Sequence, residues 1–572
     1  MKCVFYMKEY VMTFISKMTI VYYLVCVMLM LLMFKMGLLN GSVLVLEWEI
    51  SEKMIMEMGL CMVIDWVSCL FLMSVFFISG CVSLFSGFYM AHECFLKRFS
   101  YILQAFVLSM AVLVMFPGYL GLMVGWDGLG VVSFLLVVYY MNSESLSAGM
   151  ITAISNRVGD VFFILVICVF SSYLSYSPFS GFIFSTSVLG MLILLGSMTK
   201  SAQVPFSAWL PEAMAAPTPV STLVHSSTLV TAGVYVLIRF SSFVGELEKS
   251  VLMVFSLITI LLSGSSSMVE IDMKKVVALS TLSQVGMMMF CISMGCSSVA
   301  FFHLLVHAFF KALMFMCVGG VIFYSGGNQD ARFLGGIWLK LPLTSSLLVF
   351  SNLSLMGVPF FSGFYSKEMI VSSYLMKNWS GVSVVLGFLC LSLTAFYSIR
   401  MMTLMIQESC SCPLSHYKME SAFYCASLVF MAGGAIFTSV MLQKLYSGFW
   451  SFNMMDGKIF YSMLMMTSLL VVNMILWMVM MCGENYKIFI NNFLNYMWFL
   501  KPLSGNIMSS KFLVAVSKFN SKVEMGWIRG FIWQNGLKKM MLTMSNNIWL
   551  MNFSYIGLVL FYCLCFLILL FV

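Results

Sequence analysis

Apolar runs recur from one end of the chain to the other, separated by short clusters of charge, proline and glycine. Each is close to the roughly 20 residues that a helix needs to cross a bilayer. Cut at those clusters, the runs predict about fifteen membrane-spanning helices. Their approximate limits are 15–36, 62–86, 101–117, 119–141, 148–173, 187–214, 218–240, 250–269, 276–295, 298–324, 342–377, 380–405, 421–441, 459–482 and 549–572. The first run follows Lys2, Lys8 and Lys17 as a signal peptide would, but it is too long for an h-region and no A-x-A site follows, so it is expected to be retained.

One stretch breaks the pattern. Residues 486–546 are too polar for a span and too apolar for a loop. Phe512, Val516, Phe519, Val523, Trp527 and Phe531 recur at three and four residues, while Lys511, Lys518, Lys522 and Arg529 fall on another face. This predicts an amphipathic helix lying along the membrane. At 1.5 Å per residue, about 60 residues could reach roughly 90 Å, with interruptions at Pro502 and Gly505. Such length favours a strut over a simple interfacial anchor, and the last span would pin its far end.

Composition narrows the class. Of the 572 residues, 62% are hydrophobic and 9% charged, against about 25% charged in soluble proteins. A water-soluble enzyme is excluded, and no polar linker divides the chain into separate bodies. The 17 cysteines lie mostly inside apolar runs and read as small buried hydrophobes. No C-x-x-C repeat offers zinc or iron-sulfur ligands, so no redox centre is expected in this chain. The net charge of +8 comes from basic residues scattered singly or in pairs, which fits lipid headgroups better than nucleic acid. The 56 methionines have no physical explanation in packing and suggest a coding bias.

Charge also tests the span count. With the N-terminus inside, Lys2, Lys8, Lys17, Lys97, Arg98, Lys274, Lys275, Arg332, Lys340, Arg400 and Lys418 fall on the inner side, joined by the basic residues from Lys487 to Lys539. Far fewer face outward, as the positive-inside rule requires. The acidic segment Glu47, Glu49, Glu52 and Glu57 falls outside.

Ionisable groups within spans are costly and commonly mark an ion or proton path. Here they are Asp127, Arg157, Asp160, Lys200, His225, His303, His307, Lys311, Lys367 and Glu368. The plain alternative is a set of ion pairs that only fix helix packing, which suits Arg157 and Asp160 best because residues three apart share a helix face. The lysines resist it. Burial disfavours the ammonium form, so such an amine can load and release a proton, and a carboxylate moving nearer or farther would hold or free it. His303, His307 and Lys311 are spaced four and four and stack along one helix face as a candidate proton wire. Two histidines at that spacing can also hold zinc, but the glutamate of H-E-x-x-H is missing and Lys311 would repel a cation. His225 alone is equally well a packing residue.

Two spans should be broken. Lys200 precedes Val204-Pro205-Phe206, with Pro211 further on, while Val358-Pro359-Phe360 precedes Lys367. Proline inside a span frees backbone groups that need water or a polar partner. The lysine stands before the proline in one half and after it in the other, the order that two inverted repeats could produce.

The residues at these positions carry a resemblance. The run TKSAQVPFSAWLPEAMAAPTPVSTLVHSSTLVTAG (199–233), with GWDGLG (125–130), SNRVGD (155–160), HAFFKALMF (307–315) and GFYSKE (363–368), resembles the chain 5 family of NADH:ubiquinone oxidoreductase, respiratory complex I. The match covers roughly 45–370 closely and the rest by layout. The large subunits of multisubunit cation/proton antiporters share these central motifs.

The resemblance implies an all-α polytopic protein of the mitochondrial inner membrane, N-terminus on the matrix side, with two inverted five-helix antiporter-like repeats. Its layout would be N-terminal helices (1–100), a first half (101–240), a second half (250–405), additional spans (421–482), a lateral helix (486–546) and a C-terminal anchor (549–572). By motif, Asp127 takes the acidic position of the first half, Lys200 its central carrier, Lys311 a connecting lysine and Lys367 the terminal carrier, with His225, His303 and His307 along the axis between them. Asp127 stands where the family often has glutamate, which retracts the carboxylate by one methylene. Longer members have one more span before the segment matching Glu47 to Ile50. The resemblance further implies no cofactor or metal bound by this chain, with NADH, FMN, iron-sulfur clusters and ubiquinone elsewhere in the complex. Its partners would be other membrane-arm subunits along the lateral helix, and lipid. Two rivals remain open: an antiporter subunit without redox partners, and a purely structural membrane subunit.

Overall fold

A computed structural model describes residues 2–35, 42–49, 59–172, 187–375, 381–406, 420–449, 492–502, 509–528 and 536–550. The span expected at 459–482, most of that at 549–572, and Phe531, Arg529 and Gly505 lie outside them. The chain divides into a unit Met1–Lys501 and a unit Pro502–Val572.

The described residues of the first unit lie mostly in helices. These are α1 (Lys2–Lys35), α2 (Trp66–Tyr89), α3 (Leu96–Met115), α4 (Tyr119–Val137), α5 (Ser143–Ser172), α6 (Ser187–Lys200), the short α7 (Trp209–Glu212) and α8 (Thr218–Val220), and α9 (Leu229–Arg239). They continue as α10 (Glu246–Ser267), α11 (Met273–Ser293), α12 (Ser297–Tyr324), α13 (Ile337–Lys340), α14 (Pro342–Met356), α15 (Ser362–Leu375), α16 (Gly381–Ile406) and α17 (Ala422–Phe449). Among the described residues ten helices are long and apolar enough to cross a membrane, and three shorter apolar ones accompany them.

The expectation of helix alone needs one correction. Strands β1 (Leu44–Glu49) and β2 (Gly59–Ile64) pair antiparallel, Leu44 opposite Ile64 and Glu49 opposite Gly59. The segment is too short to span as a helix, and strand pairing satisfies its backbone groups locally. The span expected to start at 62 accordingly starts at Trp66. Asp65 caps it, its carboxylate accepting from Ser68 N at 2.8 Å while Asp65 N donates to Ser68 Oγ at 2.9 Å.

Both expected breaks are present. In the first, α6 ends at Lys200, Ala202 takes a left-handed φ of 53°, and the chain passes Pro205 before the single turn of α7, which contains Pro211. In the second, α14 stops at Met356 on Gly357 (φ 82°), Phe360 follows at φ 71°, and α15 resumes at Ser362. Left-handed backbone at Ala202 and Phe360, neither of them glycine, costs free energy that the surrounding packing must offset. The span after the first break is irregular as well: Ser221–Thr228 is π-helical between α8 and α9, a form common at functional sites.

The centre is α11 with α12, whose apolar windows are completely buried. Around α12 pack α2, α11, α14, α15, α17 and the π-helical segment. Distant helices are also tied at their ends. Arg239 in the last turn of α9 grips Asp65, with Nη2 2.7 Å from Oδ1. Glu420 accepts from Thr344 N at the start of α14 (3.4 Å). Arg400 of α16 donates to the carbonyls of Ser267 (2.6 Å) and Glu270 (2.7 Å), satisfying the end of α10 and placing a cation at its negative pole. Arg400→Met is expected to cost about 1–3 kcal/mol by leaving those carbonyls unmet, read as a lower thermal unfolding midpoint in detergent.

In the second unit the expected amphipathic stretch is a helix over Ser509–Lys522, running into a π-helical turn at Val523–Ile528, with a further helix Leu537–Leu550. Lys511, Lys518 and Lys522 are exposed, as are Phe512, Val516, Phe519 and Trp527. Pro502 ends a short helical turn, Leu500–Pro502.

Candidate proton-transfer site

Lys200 is fully buried at the C-terminal end of α6. Close helix approach puts it there. A Cβ on Gly233 of α9 would lie 2.6 Å from Ser197 O and 3.0 Å from Ser201 N, and one on Gly159 of α5 would collide with Thr199 Oγ1. The lysine Nζ donates to Trp126 O at 2.7 Å and sits 3.7 Å over the Trp126 ring. Among the described residues no carboxylate lies within 4 Å ion-pair reach of it. Asp127 and Asp160 meet Arg157 instead, whose Nη1 is 3.6 Å from Asp127 Oδ1 and 2.9 Å from Asp160 Oδ2. The side chains of Arg157 (58%) and Asp127 (44%) are substantially exposed, while Asp160 is not.

From Lys200 the polar groups lead inward. Trp209 Nε1 donates to Thr199 O (3.0 Å), and its ring lies 6.2 Å from that of His225. His225, in the π-helical segment, is buried with neither ring nitrogen partnered among the described residues. Beside Lys200, Gln203 Oε1 accepts from Thr259 of α10 at 2.7 Å, joining the first break to that helix.

The three residues spaced four and four on α12 are all buried. His303 is held at both nitrogens, Nδ1 at 2.9 Å from Ser366 Oγ and Nε2 at 3.2 Å from Gln284 Oε1. It therefore has no nitrogen left for a metal. Gln284 Nε2 in turn donates to Tyr397 OH (3.2 Å), which lies 2.9 Å from Ser283 Oγ. With Gln284 fixed in that sense, Nε2 of His303 is the donor. Ser366 can then donate to a neutral Nδ1, or turn its hydroxyl to Gly363 O (3.3 Å) and accept from a protonated one. His303 can thus change protonation without losing a hydrogen bond.

The His307 ring is 6.2 Å from that of His303, and its nitrogens have no partner among the described residues. Lys311 Nζ donates to Ser280 Oγ at 2.6 Å. Lys367 Nζ bonds Leu355 O, in the last turn of α14 where the break exposes helix carbonyls, and reaches Thr394 Oγ1 at 3.3 Å. Glu368 is half-buried and, among the described residues, makes no ion pair with Lys367. Neutral partners around these amines can accept a proton-carrying group without trapping it, as a carboxylate at contact distance would.

Sequence reasoning missed the partners: Trp126, Trp209, Gln203, Ser280, Gln284, Ser366 and Thr394. A signal was present for some. Ser280, Ser283 and Gln284 stand at i, i+3 and i+4 in the middle of a largely apolar helix, marking one polar stripe.

Residues 117–394 match a family model described as NADH:quinone oxidoreductase/Mrp antiporter, TM, and residues 397–572 match NADH dehydrogenase subunit 5 C-terminus. NADH-ubiquinone oxidoreductase chain 5 of Lumbricus terrestris is 38% identical over 497 residues, 85% of this chain and 86% of that one. The chain belongs to the NADH-ubiquinone oxidoreductase chain 5 family. The family member from Aedes aegypti is 45% identical over 371 residues, which span 64% of each chain. Two solved structures share the fold at 20% identity: the membrane-bound sulfane sulfur reductase, an archaeal respiratory membrane complex (TM-score 0.67, 76% of this chain and 90% of that), and the Mrp complex from Dietzia (TM-score 0.64, 93% and 62%).

Proposed function

We propose that this chain is the antiporter-like, proton-translocating subunit of the membrane arm of respiratory NADH:ubiquinone oxidoreductase. It is a multi-pass membrane protein of the mitochondrial inner membrane, with its N-terminus on the matrix side. The observation that carries the reading is the row of buried amines and imidazoles, Lys200, His225, His303, His307, Lys311 and Lys367, in which the three lysines and His303 stand on neutral hydrogen-bond partners beside both helix breaks.

The chain's own groups act as follows. Lys200 holds a proton between Trp126 O and the indole face, with no carboxylate in contact among the described residues. The nitrogens of His225 and His307, buried and unpartnered among the described residues, receive water, which bridges the gaps that no side chain spans. His303 passes charge by the turn of the Ser366 hydroxyl, and Lys311 and Lys367 complete the row. Asp127, Asp160 and Arg157 form a charged cluster at the open side of the first half. Its shift toward or away from Lys200 changes how firmly the proton is held.

The spans over 101–240 and 250–405 form two inverted five-helix halves within a total of about fifteen spans. The end-to-end ties Asp65 to Arg239, Arg400 to α10, and Glu420 to α14 each join segments that alternate crossing would bring to one side. The 486–546 stretch lies along the membrane against other membrane-arm subunits, with lipid at its basic face. Oxidation of NADH and reduction of ubiquinone proceed at the FMN and iron-sulfur centres of other subunits.

Affinity isolation of the native chain from solubilised membranes separates this reading from that of a free-standing antiporter subunit. Flavin and iron-sulfur subunits are expected to come with it in constant ratio, at full NADH:ubiquinone activity. Recovery in a complex lacking them would sink the respiratory assignment.

A further inference from the structure

The span holding His225 has an unusual problem of orientation. Its imidazole makes no hydrogen bond among the described residues, so at the ring only packing, including the Trp209 ring 6.2 Å away, bears on where it points. The π-helical turn over Ser221–Thr228 adds to this, because widening a turn changes the bearing of every residue on it relative to the α-helix beyond. A directional contact elsewhere on the same rod can add what non-directional packing leaves open.

The far end of that rod is fastened by a directional contact. Arg239 lies in the last turn of α9, and its guanidinium meets the Asp65 carboxylate through both Nη atoms, Nη2 at 2.7 Å from Oδ1. A two-pronged pairing of planar groups resists rotation, as a point charge does not. The remaining Nε donates to Tyr235 OH at 2.8 Å, and Tyr235 OH reaches Val114 O at the end of α3 at 3.2 Å. Tyr235 also stacks on Phe71, centroids 5.1 Å apart and 10° from parallel. Asp65 is not free to follow a turning helix, since Ser68 and the α2 N-terminus hold it. Three helices are thus pinned together at one end of the first half, with α9 locked about its own axis.

We propose that Arg239, through Asp65, is a positioning residue that sets the rotational register of the span and thereby aims His225 into the proton path. This rests on the proton-transfer reading above. Arg239→Lys keeps the charge and loses the fork, so it turns the span without emptying the site. His225 then no longer meets the water bridging it toward Lys200, and proton transfer slows.

The test is a double-mutant cycle in the intact complex, purified with all its subunits and reconstituted in liposomes, with NADH-driven acidification and NADH oxidation measured together. Arg239→Lys and His225→Gln are each expected to lower the proton-to-electron ratio, and combining them is expected to add nothing to His225→Gln alone. The missing increment should be about threefold, within the range for coupled residues. Independent, multiplicative losses would overturn the positioning role while leaving the proton-transfer reading intact. A normal ratio in His225→Gln would instead defeat the assignment of His225, and the positioning role with it. Should Arg239→Lys fail to assemble, Tyr235→Phe removes the acceptor for Nε together with the bond to Val114 O and runs the same cycle: no added loss on His225→Gln supports the positioning role, and a multiplicative loss overturns it.

Discussion

Lys200→Met in the assembled complex is expected to lower NADH-driven proton translocation by at least about tenfold, the low end of what losing a proton-transferring group costs. Methionine keeps most of the volume in a fully buried position, so the change removes the titrating amine more than it disturbs packing. Lys200→Arg supplies the contrast. Arginine keeps the positive charge but does not release its proton in a protein, so a carrier role predicts that it fails too, whereas a purely structural cation would tolerate it better. Both variants are read as proton-to-electron ratio and as rate, in liposomes, against content of assembled complex. A wild-type ratio in Lys200→Met would remove this lysine from the path and return the buried charges to helix packing.

The second large effect is steric. Gly233→Val should abolish assembly of the complex, and Gly233→Ala should reduce it. A Cβ there would lie only 2.6 Å from the carbonyl oxygen of Ser197 and 3.0 Å from the amide nitrogen of Ser201, which are backbone atoms at the end of the very helix that delivers Lys200. Overpacking of this kind costs about 1–3 kcal/mol when neighbours can yield, and these cannot yield without moving α6 from α9. Quantifying the assembled complex on native gels, with the thermal inactivation midpoint of whatever assembles, gives the answer. Full assembly of Gly233→Val at an unchanged midpoint would mean that α6 and α9 are not in close contact.

Much of the arrangement is legible along the chain itself. A bilayer demands long apolar runs, so the helices announce themselves; it penalises charge, so the few ionisable residues inside those runs stand out. The two breaks are readable from Pro205, with Pro211 beyond it, and from Pro359 with Gly357 and Gly363 on either side, because a proline takes away a backbone donor. The β1 and β2 hairpin is not, since a six-residue apolar stretch beside a span looks like more of the span. The partner of each buried lysine is not legible either. The sequence suggests a carboxylate for Lys200, and Asp127 and Asp160 are the natural candidates, yet both turn to Arg157 while Lys200 takes a backbone carbonyl and an indole.

That difference marks the division for the whole molecule. Which segments cross the membrane, and which residues within them carry a proton-bearing group, follows from the free energy of moving each side chain between water and hydrocarbon, a quantity local to a window of residues. Which of those groups meet depends on helices that are neighbours in space and remote along the chain: Gln284 beside His303, Thr394 beside Lys367, Asp65 beside Arg239. Those meetings are decided by close packing, where a glycine lets two backbones touch and a few degrees of rotation choose the face a helix presents. No window of sequence contains that information, because the neighbour that supplies it lies in another helix.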